Sequence, residues 1–160
     1  MDKHTFISAM RRVAQSVTVV TTDGIAGRHG ATVSAFCSVS ADPPTALVCL
    51  NASSKICSMV QQNVAFKVNV LPERAQYIAD RFAGVHDRSI NDRFEGIDVA
   101  ASGIPSIPGA TVFDCSLVQS VISGSHRIMI GHVESVDCSD VHPLAYVDGQ
   151  YHRLTPLHIQ

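Results

Sequence analysis

The segment from His29 to Lys55 most constrains the fold, because it joins two apolar strand candidates through the corner Asp42–Pro44. Serine and threonine recur on both sides of that corner, although a buried strand usually avoids hydroxyls that need hydrogen-bond partners. Small polar residues on a strand edge, with backbone N–H groups nearby, suit a flat polar ring. The closing Asn51-Ala-Ser-Ser-Lys55 opens a helix, and a helix N-terminus with hydroxyls and a lysine suits a phosphate. The pattern predicts a nucleotide or flavin site.

Length and charge narrow the possible partners. We expect one domain over residues 1–160, long enough to bury a sizeable core. The net charge is −2 without a basic stripe, so no nucleic-acid partner is expected, and no apolar run approaches the roughly 18 residues of a membrane span. The five cysteines form no Cys-x-x-Cys pair, and the start lacks the apolar core of a signal peptide, which together favour the cytoplasm. A charged fraction of only 16% predicts a surface partly covered by a partner subunit.

Apolar periodicity predicts a mainly antiparallel β protein with peripheral helices. Phe6, Met10, Val13 and Val17 recur at helical spacing, which predicts an amphipathic helix over 3–14. Two more helices are expected at 54–62 and 72–82, and residues 85–110 are rich in turn formers. The expected strands cover 16–22, 29–36, 46–50, 65–70, 112–122, 128–138, 144–147 and 151–154. This pattern alone does not distinguish a β-barrel from a β-sandwich.

Four stretches, in this order and spacing, resemble the flavin reductase-like proteins, the small reductase components of two-component flavin monooxygenases. The first is fairly specific, and the others gain weight together, so the resemblance covers nearly the whole chain. The stretches are Gly30-Ala-Thr-Val-Ser-Ala-Phe-Cys-Ser-Val-Ser-Ala-Asp-Pro-Pro44, Arg81-Phe-Ala-Gly84, Gly124-Ser-His-Arg-Ile-Met-Ile-Gly-His-Val133 and Asp148-Gly-Gln-Tyr-His-Arg-Leu154.

This resemblance implies a fold, an activity and partners. The fold would be a split β-barrel, usually a homodimer with flavin near the subunit interface. The activity would be hydride transfer from NADH or NADPH to FAD or FMN, with the nicotinamide stacked directly on the flavin. A separate flavin-dependent monooxygenase, acting on an aromatic compound, would receive the reduced flavin. The chain has no Gly-x-Gly-x-x-Gly, so no Rossmann unit holds the nicotinamide nucleotide.

The resemblance also assigns flavin contacts along the chain. Thr32, Val33 and Ser34 would contact the isoalloxazine ring, where hydrogen-bond donors stabilise negative charge on the reduced flavin. From the residues alone, the same stretch could be a half-buried strand whose hydroxyls face water. The full predicted set is Ala31, Thr32, Val33, Ser34, Ser38, Val39, Ser40, Cys49, Asn51, Ser53, Ser54, Lys55, Arg81, Phe82, Ala83, Gly84 and Tyr151.

Parts of this set have a simpler structural explanation. Asn51–Lys55, predicted to hold the phosphate, could be an ordinary helix N-cap, and the two interpretations are compatible. Gly84 is explained by the end of a helix. Tyr151 could be a cross-strand aromatic of the last hairpin. Arg88 and Arg93 could pair with phosphates, but solvated arginines are the simpler interpretation.

His126 is the predicted catalytic residue, close to where the nicotinamide would lie. The family usually has Gly-Asp-His here, whereas this chain has Ser125 before the histidine, so an orienting carboxylate is lost. By period two His126 and His132 share one strand face, but six residues place them roughly 20 Å apart, which rules out a shared metal. A hydrogen-bonded loop histidine is the alternative. Two rival functions remain: a flavin-binding electron carrier or redox sensor without NAD(P)H turnover, and a flavin-free barrel that docks a partner.

Overall fold

The computed structural model describes residues 1–157, most of which lie in antiparallel strands or their connections. Among these residues no helix is long and apolar enough to cross a membrane. The elements in chain order are α1 (Lys3–Met10), β1 (Gln15–Ser16), β2 (Thr18–Thr22), β3 (His29–Val33), β4 (Phe36–Ala41), β5 (Pro44–Asn51), α2 (Lys55–Asn63), β6 (Ala65–Val70), α3 (Gln76–Phe82), β7 (Thr111–Ser123), β8 (His126–Asp137), β9 (Leu144–Val147) and β10 (Gln150–Arg153).

Seven strands form one sheet in the order β3-β2-β6-β7-β8-β5-β4, with every pair antiparallel. The two edge strands, β3 and β4, are joined only by Ser34 and Ala35, so the sheet must curve until its edges meet. The backbone N–H of Cys49, on β5, donates to the Ala35 carbonyl at 3.0 Å and ties this junction to β5. The predicted mainly antiparallel split barrel is confirmed.

A small sheet, β1-β9-β10, attaches to one end of the barrel. Its strand β9 is fixed on both sides, because the Leu144 N–H donates to the Leu71 carbonyl at 2.8 Å and the Val17 N–H donates to the Leu144 carbonyl at 2.9 Å. Leu71 directly follows β6, whose last residue pairs with Thr111 at the start of β7. The last hairpin therefore lies at the barrel end where β7 begins and β8 finishes.

Two apolar clusters stabilise the barrel. The first fills its interior beneath α2 and includes Val48, Phe66, Val68 and Met129, all at most 1% exposed. The second packs α3 and the loop after it against the outside of β2 and includes Val19, Ile78, Phe82 and Phe94. Burying one such large side chain contributes about 1.5–3 kcal/mol. Gly131 shows how tight the first cluster is, because a Cβ there would lie 2.8 Å from the Phe66 ring.

Buried Asn69 ties the turn-rich segment to the barrel. Its side-chain amide donates to the Val19 carbonyl at 2.9 Å and to the Thr21 hydroxyl at 3.1 Å, and its carbonyl accepts from the Ile107 N–H at 2.8 Å. Because all three contacts are made, this polar side chain is tolerated at 0% exposure.

The structure corrects three predicted boundaries. The first helix ends at Met10 rather than at 14, and none of its residues is buried, while Val17 is buried in the link between β1 and β2. The strand predicted over 29–36 breaks at Ser34, where the chain crosses between barrel edges. Helix α3 begins at Gln76 rather than at 72, because Pro72 bridges Pro143 and the Glu73 N–H donates to the His142 carbonyl at 2.8 Å.

Candidate active site

A cleft of about 700 Å³ opens at the crossing between β3 and β4, and we call it the aromatic cleft. The rings of Phe36 and Phe113 lie in its wall with centroids 5.2 Å apart and planes inclined at 59°. Ser34, Cys37, Leu47 and Cys49 complete the part nearest the crossing. Of the predicted flavin contacts, Ser34 and Cys49 line this cleft.

The outer face of β5 leads from the aromatic cleft to His126. Leu47, Cys49 and Asn51 alternate with the buried Ala46, Val48 and Leu50, so they share the outward face. Across the β5–β8 pair these three residues stand opposite Ile130, Ile128 and His126, respectively. The predicted common face of His126, Ile128 and Ile130 is therefore confirmed, and it is continuous with the cleft.

His126 is oriented by the serine that replaces the family's aspartate. The Ser125 Oγ lies 3.0 Å from His126 Nδ1 and can donate to a neutral nitrogen or accept from Nδ1–H, depending on the tautomer. The Ser125 carbonyl accepts from the Ala52 N–H at 2.9 Å, which ties this turn to the start of α2. The structure thus brings together His126 and the Asn51–Lys55 segment, which lie far apart in the sequence.

The N-terminus of α2 uses most of its polar groups internally. Ser54 is the N-cap, accepting from the Cys57 N–H at 3.3 Å, so the N-cap interpretation is confirmed at this residue. The N–H and the hydroxyl of Ser53 both donate to Asn51 Oδ1, at 2.9 and 2.8 Å. Lys55, in contrast, forms no ion pair with any residue of 1–157 and is exposed.

Lys55 lines a second cavity of about 610 Å³, which we call the cationic pocket. Its lining is Arg28, His29, Lys55, Asp87, Ile90, Asn91, Asp92 and Arg93. Arg28 pairs with Asp92 at 2.8 Å, and Arg93 pairs with Asp87 at 2.7 Å. The hydrogen bonds from Arg93 hold the pKa of Asp87 below its ordinary value. Three cations face two carboxylates, so the pocket has a net positive charge with His29 neutral.

Arg28 and His29 are absent from the set of site residues predicted from the sequence, and the simpler interpretation of Arg93 as a solvated arginine is wrong. The Arg93 side chain is only 18% exposed, and its Nη1 donates to the carbonyls of Gly30 and Phe82 at 2.9 and 2.8 Å. It is therefore a fixed part of the fold rather than a solvated arginine. The only available signal for His29 was its position at the start of the hydroxyl-rich strand.

Strand β3 connects the two cavities. His29, its first residue, lines the cationic pocket, and Ser34, just past its end, lines the aromatic cleft. Five residues of strand span roughly 16 Å. Because β3 is an edge strand, half of its backbone N–H and C=O groups face away from β2.

The side chains of β3 are less available than the sequence suggested. The Thr32 hydroxyl donates to the Ala79 carbonyl at 2.6 Å, while Ala31 and Val33 pack against the barrel interior. The strand can therefore present backbone donors to a ring more readily than hydroxyls, which corrects the predicted role of the Thr32 side chain as a free donor.

The edge strand β4 places Ser38, Val39 and Ser40 at the surface. All three are exposed, and the register shifts between Ser38 and Ser40, which makes Val39 the bulged residue. The Ser40 hydroxyl donates to the Asp42 carbonyl at 3.0 Å within the following corner. None of the three lines either cavity.

The Arg81–Gly84 stretch acts mainly as the end of α3. Phe82 is fully buried, with its ring 4.9 Å from that of Phe94, so its side chain is part of the core, and its flavin contact stays a prediction. Arg81 donates to the Glu95 carbonyl, and Ala83 is the C-cap. Gly84 follows with φ +86°, which confirms its structural interpretation as the residue after the C-cap.

Tyr151 lies far from His126 in the fold. Its hydroxyl donates to Asp80 Oδ1 at 2.9 Å, and its ring is 5.2 Å from that of its cross-strand partner Tyr146. Burial, together with the hydrogen bond to Asp80, raises the pKa of Tyr151 to about 12. His126 opens β8, whereas the last hairpin lies near the other end of that strand, about 36 Å along the chain. The cross-strand interpretation is confirmed, and a contact of Tyr151 with the nicotinamide stays a prediction.

An antiparallel split barrel with an aromatic cleft and a cationic pocket along one edge strand is the architecture of a small flavin-binding oxidoreductase. The model of the flavin reductase like domain matches residues 10–155, and the chain belongs to that family. The family and the enzyme class predicted from the sequence are therefore confirmed.

Individual relatives agree in sequence and in structure. The FMN reductase (NADH) RutF of Yersinia enterocolitica is 38% identical over 156 residues, which cover 96% of this chain and 86% of the relative. The flavin reductase PheA2 in its native state superposes with a TM-score of 0.88 at 31% identity, covering 98% of this chain and all of PheA2. The NADH:FAD oxidoreductase SgcE6 of Streptomyces globisporus, solved with NAD and FAD fragments, gives a TM-score of 0.88 at 26% identity, with 97% and 94% covered.

Proposed function

We propose that the protein uses NADH to reduce FMN, with the ring in the aromatic cleft and the phosphate in the cationic pocket. The observation that supports this most directly is β3, whose ends line the two cavities. The relative named FMN reductase (NADH) supports the choice of FMN and NADH. A bound flavin supplies the hydride acceptor, while the chain binds, aligns and excludes water.

The residues of the cleft are suited to binding and aligning a flavin ring. Phe36, Phe113 and Leu47 offer apolar contacts to a ring, and the exposed edge of β3 offers backbone donors. Burial raises the pKa of the Cys49 thiol, with a further contribution from Cys37, so neither burial nor its neighbour favours a reactive thiolate here. His126 would position the nicotinamide at the far end of the same strand face.

The test is NADH oxidation followed at 340 nm with FMN, FAD or riboflavin as acceptor. We expect turnover that requires both NADH and a flavin, with a lower KM for FMN than for riboflavin because only FMN has a phosphate. Flavin binding without turnover would favour the rival electron carrier or sensor. Absence of flavin binding would favour the flavin-free docking barrel.

We also propose that the protein is a homodimer. Apolar side chains remain uncovered on α1 and on the β7–β8 ribbon; they are Phe6, Ile7, Met10, Val118, Val121 and Ile122. Such patches often mark an interface, and a second copy could bring the last hairpin of one protomer to the cleft of the other. Sedimentation equilibrium tests this, and a monomer at micromolar concentration would contradict it.

Release of reduced flavin to a separate monooxygenase completes the proposal. Both cavities are open to solvent on the isolated chain, which suits a ligand that must leave. Rapid filtration of the anaerobically reduced enzyme should recover reduced FMN in the filtrate, whereas a flavin retained through many turnovers would contradict transfer. That the partner acts on an aromatic compound stays a prediction.

A further inference from the structure

The charged side chains of the cationic pocket differ in their freedom to meet a ligand. Arg28 is fixed by Asp92 at 2.8 Å and lies over the Phe94 ring, 4.8 Å from its centroid. Arg93 is fixed by Asp87 and by two backbone carbonyls. Neither arginine can turn to a new partner without breaking contacts that hold the fold.

Lys55 and His29 are the two basic side chains of the pocket that remain free to contact a ligand. Lys55 is exposed without an ion pair in residues 1–157, and the imidazole of half-buried His29 makes no hydrogen bond to any residue of that range. Both line the same cavity, although one begins α2 and the other begins β3. The pocket therefore pairs the amine of Lys55 with the imidazole of His29.

We propose that His29 takes up a proton when a phosphate group binds beside Lys55, and that this makes the pocket select phosphorylated ligands in a pH-dependent way. The inference deepens the proposed function, because the phosphate of FMN is the first source of the group. A phosphate of the nicotinamide dinucleotide is the second source.

The charge balance around His29 explains why the proton would arrive with the ligand. Burial, and then the charges of Arg93 and Lys55, lower the pKa of His29 to about 4, while Asp87 and Asp92 oppose this only in part. Without a ligand the imidazole is therefore neutral near pH 7. A phosphate dianion offsets the two cations and offers an acceptor, which raises the pKa of His29 in the complex.

Linked protonation makes binding tighter as pH falls. One proton taken up on binding changes the affinity by at most about tenfold per pH unit, between the pKa of the free protein and that of the complex. A phosphate monoester itself titrates near pH 6, so pH 6 is the lower limit of the informative range. We expect FMN affinity to fall about three- to tenfold from pH 6 to pH 8, and riboflavin affinity to stay constant.

Quenching of flavin fluorescence measures both affinities at the two pH values. His29→Asn should bind FMN with little difference between pH 6 and pH 8, and its riboflavin affinity should equal that of the wild type. His4→Asn, at an exposed position on α1 that lines neither cavity, is the matched control and should keep the wild-type profile. If His29→Asn retains the full wild-type pH dependence for FMN, the phosphate of FMN is not the group that His29 meets. His29→Gln serves where the asparagine variant does not fold.

A second arm identifies the source of the phosphate. The KM for NADH is measured at both pH values with riboflavin as acceptor, so that the dinucleotide is the only phosphorylated ligand. A His29-dependent change in this KM, with FMN affinity unaffected, would assign the pocket to the dinucleotide. No change in either quantity overturns the proposal. Loss of the proposed function is recognised separately, because wild-type protein would then oxidise no NADH with any flavin.

Discussion

The two cavities on β3 are built in opposite ways. The aromatic cleft is formed by the outward faces of strands, and its lining near the crossing is apolar or weakly polar. The cationic pocket is formed by loops and element ends, and ion pairs of 2.7 and 2.8 Å hold its shape. A site for hydride transfer needs alignment and dryness, whereas a phosphate site needs charge that is already in place. One edge strand can therefore serve both needs, because each of its ends meets a different environment.

The strongest effect on flavin binding is expected for Lys55. Lys55→Ala removes a charge-assisted contact worth about 1.5–3 kcal/mol, so FMN affinity should fall about ten- to a hundredfold. Riboflavin affinity should not change, because riboflavin has no phosphate. Fluorescence titration measures both ligands, and Lys67→Ala, whose amine contacts Ser106 and Asp114, is the control. An equal loss of affinity for FMN and riboflavin would contradict the assignment of the ring and the phosphate to different cavities.

A slightly smaller effect is expected at His126, and it separates binding of the flavin from its use. If His126 positions the nicotinamide, His126→Ala should lower kcat/KM for NADH about ten- to a hundredfold, which corresponds to 1.4–2.8 kcal/mol. FMN affinity should change much less. Stopped-flow reduction together with a flavin titration decides this. Wild-type kinetics would leave His126 as a turn residue held by Ser125.

The sequence predicted the strands and the cleft better than the pocket, for a physical reason. Period-two alternation correctly placed His126, Ile128 and Ile130 on one face of their strand, since that arrangement depends only on local geometry. The use of the Thr32 hydroxyl by Ala79 and the burial of Phe82 against Phe94 are contacts between distant segments, which no local pattern specifies. The cationic pocket depends on Asp87, Asp92 and Arg93 folding back onto β3, so its charge could not be predicted from the strand alone.

For Tyr151 a smaller effect is expected, and it concerns stability rather than activity. Tyr151→Phe leaves the ring against Tyr146 but removes the hydrogen bond to Asp80, which should lower the free energy of unfolding by about 0.5–1.5 kcal/mol. Urea denaturation measures this change. Because the hydroxyl already has a partner, kcat/KM for NADH should stay within twofold of the wild type. A tenfold loss in kcat/KM with unchanged stability would contradict this and indicate that Tyr151 acts in the active site.

The smallest expected effect is the pH dependence of stability in the ligand-free protein, and it isolates His29 from any flavin. The pKa of His29 is about 4 in the folded protein, whereas the ordinary histidine value is 6.5. Between these values the unfolded chain binds more protons, so this group lowers stability as pH falls from 6.5 to 4 and contributes nothing above that range. His29→Asn should therefore flatten part of the decline in Tm over this interval, while Tm at pH 8 changes only through lost packing. Thermal unfolding by circular dichroism at pH 4.5, 5.5, 6.5 and 8 gives the slopes, with His4→Asn as the control. Parallel slopes for wild type and His29→Asn would mean that the imidazole is not desolvated beside Arg93 and Lys55. Water would then shield the positive charge of the pocket, and that charge would attract a phosphate less strongly.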